Sequence, residues 1–413
     1  MRADLLHVVT CYFNPIRWES RLRLYKEFEQ RMLDSGVQLT TVECALGERP
    51  FETVGTNPNV NYVPIRAKTI LWNKESLLRI GMQRLPEPDW KYVCWADSDI
   101  TFRQPTWAAD TVHALQQYDI IQPWSDAYDL GPNDTHLAVY KSFLNQWWNG
   151  KSVVYGVDPS NTHFQNRVHG VEKSIMHPAQ RAQMAATGMT AIPQTSLAEM
   201  HRERNNTQHD TKKHHHHKNH HHHHSCKCDD CCCCPPCPPP PPPYYGMVSK
   251  RQAARMPWWK RDGGPHEYPH TGYAWAARRS AIDGVGGLFD LAAMGAGDYH
   301  MALALVGYAS HSIPGNVSAS YKKHLLSWEE RALNHVNYNM GYLQGTIEHS
   351  FHGAKGNRRY IDRWQIILEH EFDPDVDIIR NAHGVFELCC TKPKLRHDLD
   401  VYFRQRNEDA NII

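Results

Sequence analysis

Two acidic residues, Asp97 and Asp99, come directly after an apolar run in the segment KYVCWADSDITF. In an extended chain, residues two apart point to the same side, so both carboxylates can approach one cation. Such oxygen ligands suit Mg²⁺ or Mn²⁺, and either ion can bridge the phosphates of a nucleotide. A D-x-D triplet is also common by chance as a polar turn, and the apolar strand before it favours the metal site.

A third carboxylate, Asp298, lies in the glycine-rich segment MGAGDYHM. Gly295 and Gly297 allow the backbone to come close to a ligand, and a helix is predicted over residues 299–306. Asp298 is therefore a candidate general base, because a carboxylate within hydrogen-bond reach of a reacting hydroxyl can accept its proton. The alternative is that Asp298 only caps that helix.

A basic and histidine-containing segment, IEHSFHGAKGNRRYIDRWQIIL, follows further along the chain. His349 and His352 lie three residues apart, and either could complete a metal site. Lys355 and Arg358 could bind a diphosphate. The chain has 28 histidines, and a lone histidine is more often structural than a ligand.

Alternating apolar runs and helical periodicities predict the elements that hold these residues. The pattern indicates an α/β fold with a mostly parallel sheet covered by helices, in which ligands gather at the carboxyl ends of the strands. The predicted strands are residues 5–11, 37–43, 62–65, 91–96 and 119–122, and the predicted helices are residues 18–32, 74–84 and 107–117.

Composition excludes several classes of protein. The 413 residues are 41% hydrophobic, which is enough for a sizeable core. The 45 basic and 44 acidic residues leave no overall field that would draw the chain to nucleic acid or a membrane. The sequence has no run of about 18 apolar residues that could span a bilayer, so a cytoplasmic protein is expected. Seven of the 12 cysteines fall between residues 226 and 237, which is no disulfide framework.

Residues 205–245 differ from the rest of the chain. They hold two histidine tracts followed by CKCDDCCCCPPCPPPPPPYY. Runs of identical residues have neither helical nor strand periodicity, so we expect a disordered low-complexity insertion. Imidazole and thiolate are good metal ligands, but the spacing defines no single site.

Two stretches of the chain resemble a known family. LWNKESLLRIGMQRLP with WKYVCWADSDITF resembles the donor-binding half of GT-A-type glycosyltransferases, especially those of large DNA phages and viruses. HTGYAWAARRSAIDGVGGLFDLAAMGAGDYHMALAL is similar to the acceptor half of galactosyltransferase-like enzymes. The resemblance covers most of residues 5–125 and 265–370, and it implies a GT-A-like Rossmann-type fold.

The resemblance also implies a domain order. Residues 1–125 would form the nucleotide-sugar-binding half, and residues 126–204 a helical or irregular connection before the insertion at 205–245. Residues 246–370 would then form the acceptor-binding and catalytic half, with 371–413 as a C-terminal extension.

On the donor side, the resemblance gives Asp97 and Asp99 the metal and nucleotide role. Asn73 and Lys74 sit where related enzymes contact ribose or phosphate, although Asn73 could equally cap a helix. Glu43 ends a predicted strand at the crevice and could accept hydrogen bonds from the nucleoside, or be a solvated strand end.

On the acceptor side, Gly272, Tyr273 and Trp275 precede the glycine-rich turn. Tyr273 and Trp275 could stack on a sugar, or be strand core. The resembled family takes a metal-binding histidine from the late segment, which fits His352 best.

The implied reaction moves a sugar from a nucleoside-diphosphate sugar to an acceptor hydroxyl, with Mn²⁺ or Mg²⁺. GAGD resembles inverting enzymes and HGAKG resembles retaining ones, and the longer match favours inversion. The acceptor would be a glycan or another hydroxyl, and modified DNA is less favoured because the net charge is near zero. The competing functions are a metal-dependent nuclease or phosphotransferase, and a non-catalytic scaffold that binds metal through its His/Cys tract.

Overall fold

A computed structural model describes residues 2–149, 153, 269–314, 316–360, 362–389 and 391–410. The predicted insertion at 205–245, most of the predicted connection at 126–204, and residues 246–268 lie outside these residues.

A seven-stranded sheet forms the centre of the described structure. Its strands are β1 (Leu6–Tyr12), β2 (Gln38–Leu46), β3 (Asn61–Ala67), β4 (Tyr92–Ala96), β6 (Ile120–Gln122), β10 (Ala274–Arg278) and β11 (Met340–Tyr342). They lie in the order β11-β6-β10-β4-β1-β2-β3. Strands β1 to β4 run parallel to one another, and β6 runs parallel to β11. Strand β10 is antiparallel to both of its neighbours, β4 and β6.

A second sheet has five strands. They are β5 (Ile100–Phe102), β7 (Asp126–Leu130), β8 (His136–Ser142), β9 (Pro269–His270) and β12 (Thr346–His349). Their order across the sheet is β5-β12-β7-β8-β9. A hairpin of β13 (Ile378–Arg380) and β14 (Phe386–Leu388) completes the described strands.

Ten α-helices occur in the described residues, and several close on the central sheet. They are α1 (Glu19–Asp34), α2 (Lys74–Gln83), α3 (Trp107–Ala114), α4 (Phe143–Trp148), α5 (Arg279–Val285), α6 (Gly297–Leu305), α7 (Ala319–His335), α8 (Arg363–Glu369), α9 (Pro374–Asp377) and α10 (Pro393–Gln405). In the described part of the chain, no helix is both long enough and apolar enough to cross a bilayer.

Alternation along the strands gives the central sheet two apolar faces. On β1, Val8 belongs to one hydrophobic cluster and Val9 to the other, because successive side chains of a strand point to opposite faces. Helix α2 covers the Val9 face at very close range. A Cβ on Gly81 would lie 2.5 Å from Val9 Cγ1 and 2.8 Å from Val42 Cγ2, so only glycine allows this approach.

The predicted α/β fold with a mostly parallel sheet is confirmed. The five predicted strands correspond to β1, β2, β3, β4 and β6, and the three predicted helices to α1, α2 and α3, with ends that differ by a few residues. The C-terminal residues pack into the same core, since Leu395, Leu399, Tyr402 and Phe403 of α10 are buried in it. Helix α10 is therefore an integral part of the described core.

Candidate active site and metal centre

Strand register brings Asp99 next to His349. Asp99 immediately precedes β5, and Ile100 of β5 is paired with His349 of the antiparallel strand β12. The Ser350 N–H also donates a hydrogen bond to the Asp99 carbonyl oxygen, at 2.8 Å. Two segments that are far apart in sequence are thus fixed together by backbone pairing.

The neighbouring strand orients the His349 ring. His349 is also paired with Asp129 in the parallel strand β7, and its Nδ1 lies 2.8 Å from Asp129 Oδ1. A carboxylate only accepts, so the imidazole proton is on Nδ1, and the Nε2 lone pair is left for another partner. Nε2 lies 3.8 Å from Asp99 Oδ1.

The His352 ring is held in the same way, by the C-terminal segment. Its Nδ1 lies 3.3 Å from Glu408 Oε2, and its Nε2 lies 2.9 Å from Asp99 Oδ2. Gly353 makes this possible: its φ is +78°, and a Cβ there would lie 2.6 Å from the Asn407 carbonyl oxygen. A glycine therefore lets the loop pass directly beneath the segment that carries Glu408.

Asp99, His349 and His352 form a set that suits a metal ion. One ligand atom from each lies within 4.8 Å of the other two, and ligands held at about 2.0–2.2 Å from one ion lie about 3–4 Å apart. Asp99 Oδ1 is buried and makes no hydrogen bond to any described residue.

The two contacts of His352 Nε2 also favour a bound cation at this place. Arg358 Nη2 lies 2.9 Å from Nε2, which requires Nε2 to accept, yet the carboxylate of Asp99 faces the same nitrogen. Neither neutral tautomer satisfies both contacts. A cation that takes the lone pairs of His352 and Asp99 removes this conflict, so the residues present fit a metal ion.

The protonation states agree with ligation. Burial lowers the pKa of His349 to about 4 and also lowers that of His352, so both rings are neutral at neutral pH. Burial alone would raise the pKa of Asp99, but His349, His352 and the Arg21 guanidinium hold it far below its usual range. The set therefore offers two neutral imidazoles and one carboxylate.

Asp97 has a different partner, Lys74. Lys74 Nζ lies 2.5 Å from Asp97 Oδ1. Burial alone would lower the pKa of Lys74, but Asp97 and Asp298 raise it well above its usual value. Lys74 thus carries a positive charge between the carboxylate that follows β4 and the carboxylate of the glycine-rich turn. It connects the predicted donor side to the predicted acceptor side.

Asp298 lies in the first turn of α6, after a turn that has little room for side chains. Gly295 and Ala296 have φ of +84° and +71°, in the left-handed region. A Cβ on Gly297 would lie 2.5 Å from Glu75 Cδ. The Asp298 carboxylate accepts a hydrogen bond from the Tyr299 N–H at 2.9 Å. This bond satisfies one of the first N–H groups of α6 from within the helix, since Ala296 holds the N-cap position, and the general-base role of Asp298 stays a prediction.

Glu75 is buried beside this turn, with 3% of its surface exposed. Burial raises its pKa to about 8, an effect that Lys74 reduces and Asp298 increases. At neutral pH, Glu75 is therefore mostly protonated, so it places little extra negative charge beside Asp298.

Two predicted donor contacts have other partners in the structure. The Glu43 carboxylate accepts hydrogen bonds from the N–H groups of Thr53 and Val54 and from the Thr53 hydroxyl, at 2.7–3.0 Å. It therefore holds the loop after β2, and its contact with a nucleoside stays a prediction. Asn73 precedes α2 without a side-chain cap, and its Nδ2 donates to the Phe386 carbonyl oxygen at 3.0 Å.

The predicted acceptor residues divide into two groups. Gly272 faces the site, since a Cβ there would lie 2.9 Å from Asp298 Oδ2 and 3.0 Å from His270 Cε1. Trp275 is only 4% exposed, and its indole N–H donates to the Thr271 carbonyl oxygen. Tyr273 is buried as well, and its hydroxyl donates to Asp129 Oδ1 at 3.0 Å. Both rings are part of the core, which fits the strand-core alternative, and the stacking of either ring on a sugar stays a prediction.

Lys355 and Arg358 lie beside the set of Asp99, His349 and His352. Lys355 forms an ion pair with Asp129 and also contacts the Tyr140 hydroxyl at 3.2 Å, while burial and the Arg358 charge lower the pKa of Lys355 to about 7. Arg358 is buried, and its Nη1 donates to the Tyr360 hydroxyl at 3.1 Å. Arg358 is therefore the stronger cation at this place, and the binding of a diphosphate by these two side chains stays a prediction.

Sequence reasoning missed the carboxylates that orient the two histidines. Asp129 lies in DAYDLGPND and Glu408 in RQRNEDANII, and neither segment has a motif. Asp129 had no sequence signal, because β7, the strand that carries it, reads DAYDL and lacks an apolar run. Glu408 had none, because it is far from the site in sequence and is brought there by the packing of α10.

Comparison with known proteins adds little to this picture. No family model matches the chain, and no curated protein matches it. Among solved structures, one from Desulfovibrio desulfuricans G20 is described as a candidate nucleotide-diphospho-sugar transferase. It is 14% identical, with a TM-score of 0.21, over 33% of this chain and 62% of that one, which is less than two thirds of its length. We take neither fold nor activity from it.

Proposed function

We propose that this protein is a metal-dependent glycosyltransferase that uses a nucleoside-diphosphate sugar. The observation that carries the proposal is the set of Asp99, His349 and His352. Asp99 follows the parallel strand β4, and basic side chains lie beside the set. Carboxyl ends of parallel strands are where ligands bind in open α/β sheets. Asp298 lies nearby, across the Lys74 ammonium.

Each residue has a physical role in this reaction. Arg358 and Lys355 stabilise the negative charge that develops on the departing diphosphate. Asp298 accepts the proton of the acceptor hydroxyl, with Gly272 leaving space beside its carboxylate. Lys74 positions Asp97 and keeps the two carboxylate regions from repelling each other. A bound divalent ion would act as a Lewis acid at the leaving group.

The ligand set favours Mn²⁺ over Mg²⁺. Two imidazoles and one carboxylate are borderline ligands, whereas Mg²⁺ prefers oxygen ligands and retains its water. The sequence alone left both ions open because it placed Asp97 together with Asp99 in the site, with a histidine to complete it. The pairing of Asp97 with Lys74 instead leaves Asp99 with the two histidines.

A second candidate function follows from the same ligands. Two histidines and one carboxylate are also the iron ligands of non-haem iron(II) oxygenases. The basic side chains of Lys355 and Arg358 beside the set favour a phosphate-bearing substrate and thus the transferase.

Thermal stability of the full chain separates these functions. Nucleoside diphosphates and nucleotide sugars are added with Mn²⁺, Mg²⁺, Fe²⁺ or a chelator. We expect one nucleotide to stabilise the protein together with Mn²⁺, and the chelator to abolish the effect. Stabilisation by Fe²⁺ alone, with no response to any nucleotide, would reject the transferase.

The stereochemistry is tested on the product. A single displacement at the anomeric carbon inverts it, so NMR of fresh product should show the anomeric configuration opposite to that of the donor. Retention would remove Asp298 from the general-base role.

A further inference from the structure

Two buried arginines, Arg358 and Arg363, have no carboxylate of the described residues in direct contact. Arg358 is 8% exposed and Arg363 is 6% exposed, and the Nε atom of each is buried without a hydrogen bond. The Glu408 and Asp99 carboxylates act on Arg358 electrostatically without forming an ion pair with it. A buried charge is costly unless it is paired, so both guanidinium groups are suited to hold a further anion.

The neighbouring arginines show what a satisfied pair looks like here. Arg21 Nη2 donates to Glu408 Oε1 at 2.9 Å, and Arg406 Nε lies 2.5 Å from the same carboxylate. Glu408 is thus already shared by two guanidinium groups and the His352 ring. Its effect on Arg358 acts through space, without an ion pair.

The two unpaired arginines belong to one place. Arg358 donates to the Tyr360 hydroxyl, and the Arg363 guanidinium lies 5.1 Å from the centre of the Tyr360 ring. Tyr360 is 49% exposed, so this place opens to solvent. The positive charge at this place also acts on the Tyr402 phenol. Burial alone would raise the pKa of Tyr402, but Arg406 and Arg363 lower it.

The place lies between the two reacting sides. Arg358 contacts His352 of the metal-binding set. Arg363 Nη1 and Nη2 lie 3.2 and 3.3 Å from the position that a Cβ on Gly295 would take, in the turn that carries Asp298. An anion held by both arginines would therefore lie between the metal-binding set and the Asp298 turn.

We infer that Arg363, together with Arg358, forms an oxyanion pocket that binds the diphosphate group of the substrate. This inference rests on the proposed function for its choice of diphosphate. Two planar guanidinium groups can each make paired hydrogen bonds to phosphate oxygens. Arg358 must turn from His352 towards the anion, so a metal ion on His352 and a diphosphate on Arg358 should strengthen each other's binding.

Calorimetric titration of the full chain with inorganic pyrophosphate tests the pocket, with and without Mn²⁺. Arg363→Gln is expected to weaken pyrophosphate binding by about 10-fold to 100-fold, since bonds from a charged donor are lost. The matched control is Arg359→Gln, which removes the same charge from an exposed neighbour that contacts Gln405. It should change the affinity less than about twofold. Equal effects of the two substitutions would overturn the pocket.

A stability measurement covers the case in which a variant folds poorly. Pyrophosphate should raise the melting temperature of the wild-type chain, more so with Mn²⁺, and Arg363→Lys should retain part of the effect. An unchanged melting temperature would overturn the inference. Stabilisation by glucuronate but not pyrophosphate would overturn it too, because the pocket would then serve a sugar carboxylate.

The two proposals fail separately. Pyrophosphate binding that depends on Arg363 without any sugar transfer would reject the transferase and keep the pocket. Sugar transfer by the wild-type chain, with a pyrophosphate affinity that Arg363→Gln leaves unchanged, would reject the pocket and keep the transferase.

Discussion

Asp99→Asn tests the division of roles between two carboxylates that are only one residue apart. The substitution keeps the size of the side chain and removes the only negative charge of the set formed with His349 and His352. The loss should exceed that of a hydrogen-bond partner of a ligand, which typically costs 10-fold to 100-fold in metal affinity. We therefore expect Mn²⁺ affinity to fall by at least about 100-fold.

The expected stability change follows by linkage. At a Mn²⁺ concentration about 100 times the wild-type Kd, the ion stabilises the wild-type chain by about 2.7 kcal/mol and the variant by about 0.4 kcal/mol or less. The metal-free variant should be less stable than wild type, because the pKa of Asp99 is held low in the folded protein. The quantity to compare is therefore the stability that each protein gains when Mn²⁺ is added to it, because the difference between the metal-free proteins then cancels.

The measurements are thermal unfolding with and without Mn²⁺ and direct titration of the ion. Asp97→Asn is the control, since Asp97 is paired with Lys74 in the structure. It should retain most of the Mn²⁺ stabilisation. A wild-type response in Asp99→Asn would refute the assignment. Equal losses in both variants would favour the site of paired carboxylates that the sequence suggested.

Three further predictions concern other carboxylates. Asp298→Asn should lower turnover by about two to four orders of magnitude while the donor still binds, and near-normal turnover would leave Asp298 as a helix cap. Glu75→Gln should stabilise the protein increasingly, relative to wild type, as pH rises from 4.5 to about 8. Because the folded-state pKa of Glu75 is raised, the unfolded wild-type chain loses a proton in this window that the folded chain keeps, and wild-type stability falls. Thermal unfolding across pH checks this, and a gap that does not widen contradicts it. Asp409→Ala should cost about 1 kcal/mol in the free energy of unfolding, because Asp409 accepts hydrogen bonds from the first N–H groups of α1 at Glu19 and Ser20. Its Mn²⁺ affinity, measured by titration, should not change.

The sequence predicted what depends on local pattern. Apolar runs and helical spacing identified the strands and helices of the parallel part of the central sheet. The carboxylates after β4 and the glycine-rich turn before α6 are also local, since each requires only a strand end or left-handed glycine backbone. For this reason the residue pattern, together with the family resemblance, was enough to select Asp97, Asp99 and Asp298 as candidates.

Which residues meet was decided by tertiary structure. Asp97 and Asp99 are equivalent in sequence, yet Lys74 contacts one and His352 the other. Trp275 has an aromatic side chain that could stack on a sugar, but β10 lies inside the sheet, so the Trp275 side chain is buried.

The two histidines show the same limit. Asp129 reaches His349 through strand pairing across 220 residues, and Glu408 reaches His352 through the packing of α10. Periodicity records which face of an element is buried. It does not record the strand order and register that choose the partner of each charge, and in this protein those partners determine which side chains are free to bind a metal ion.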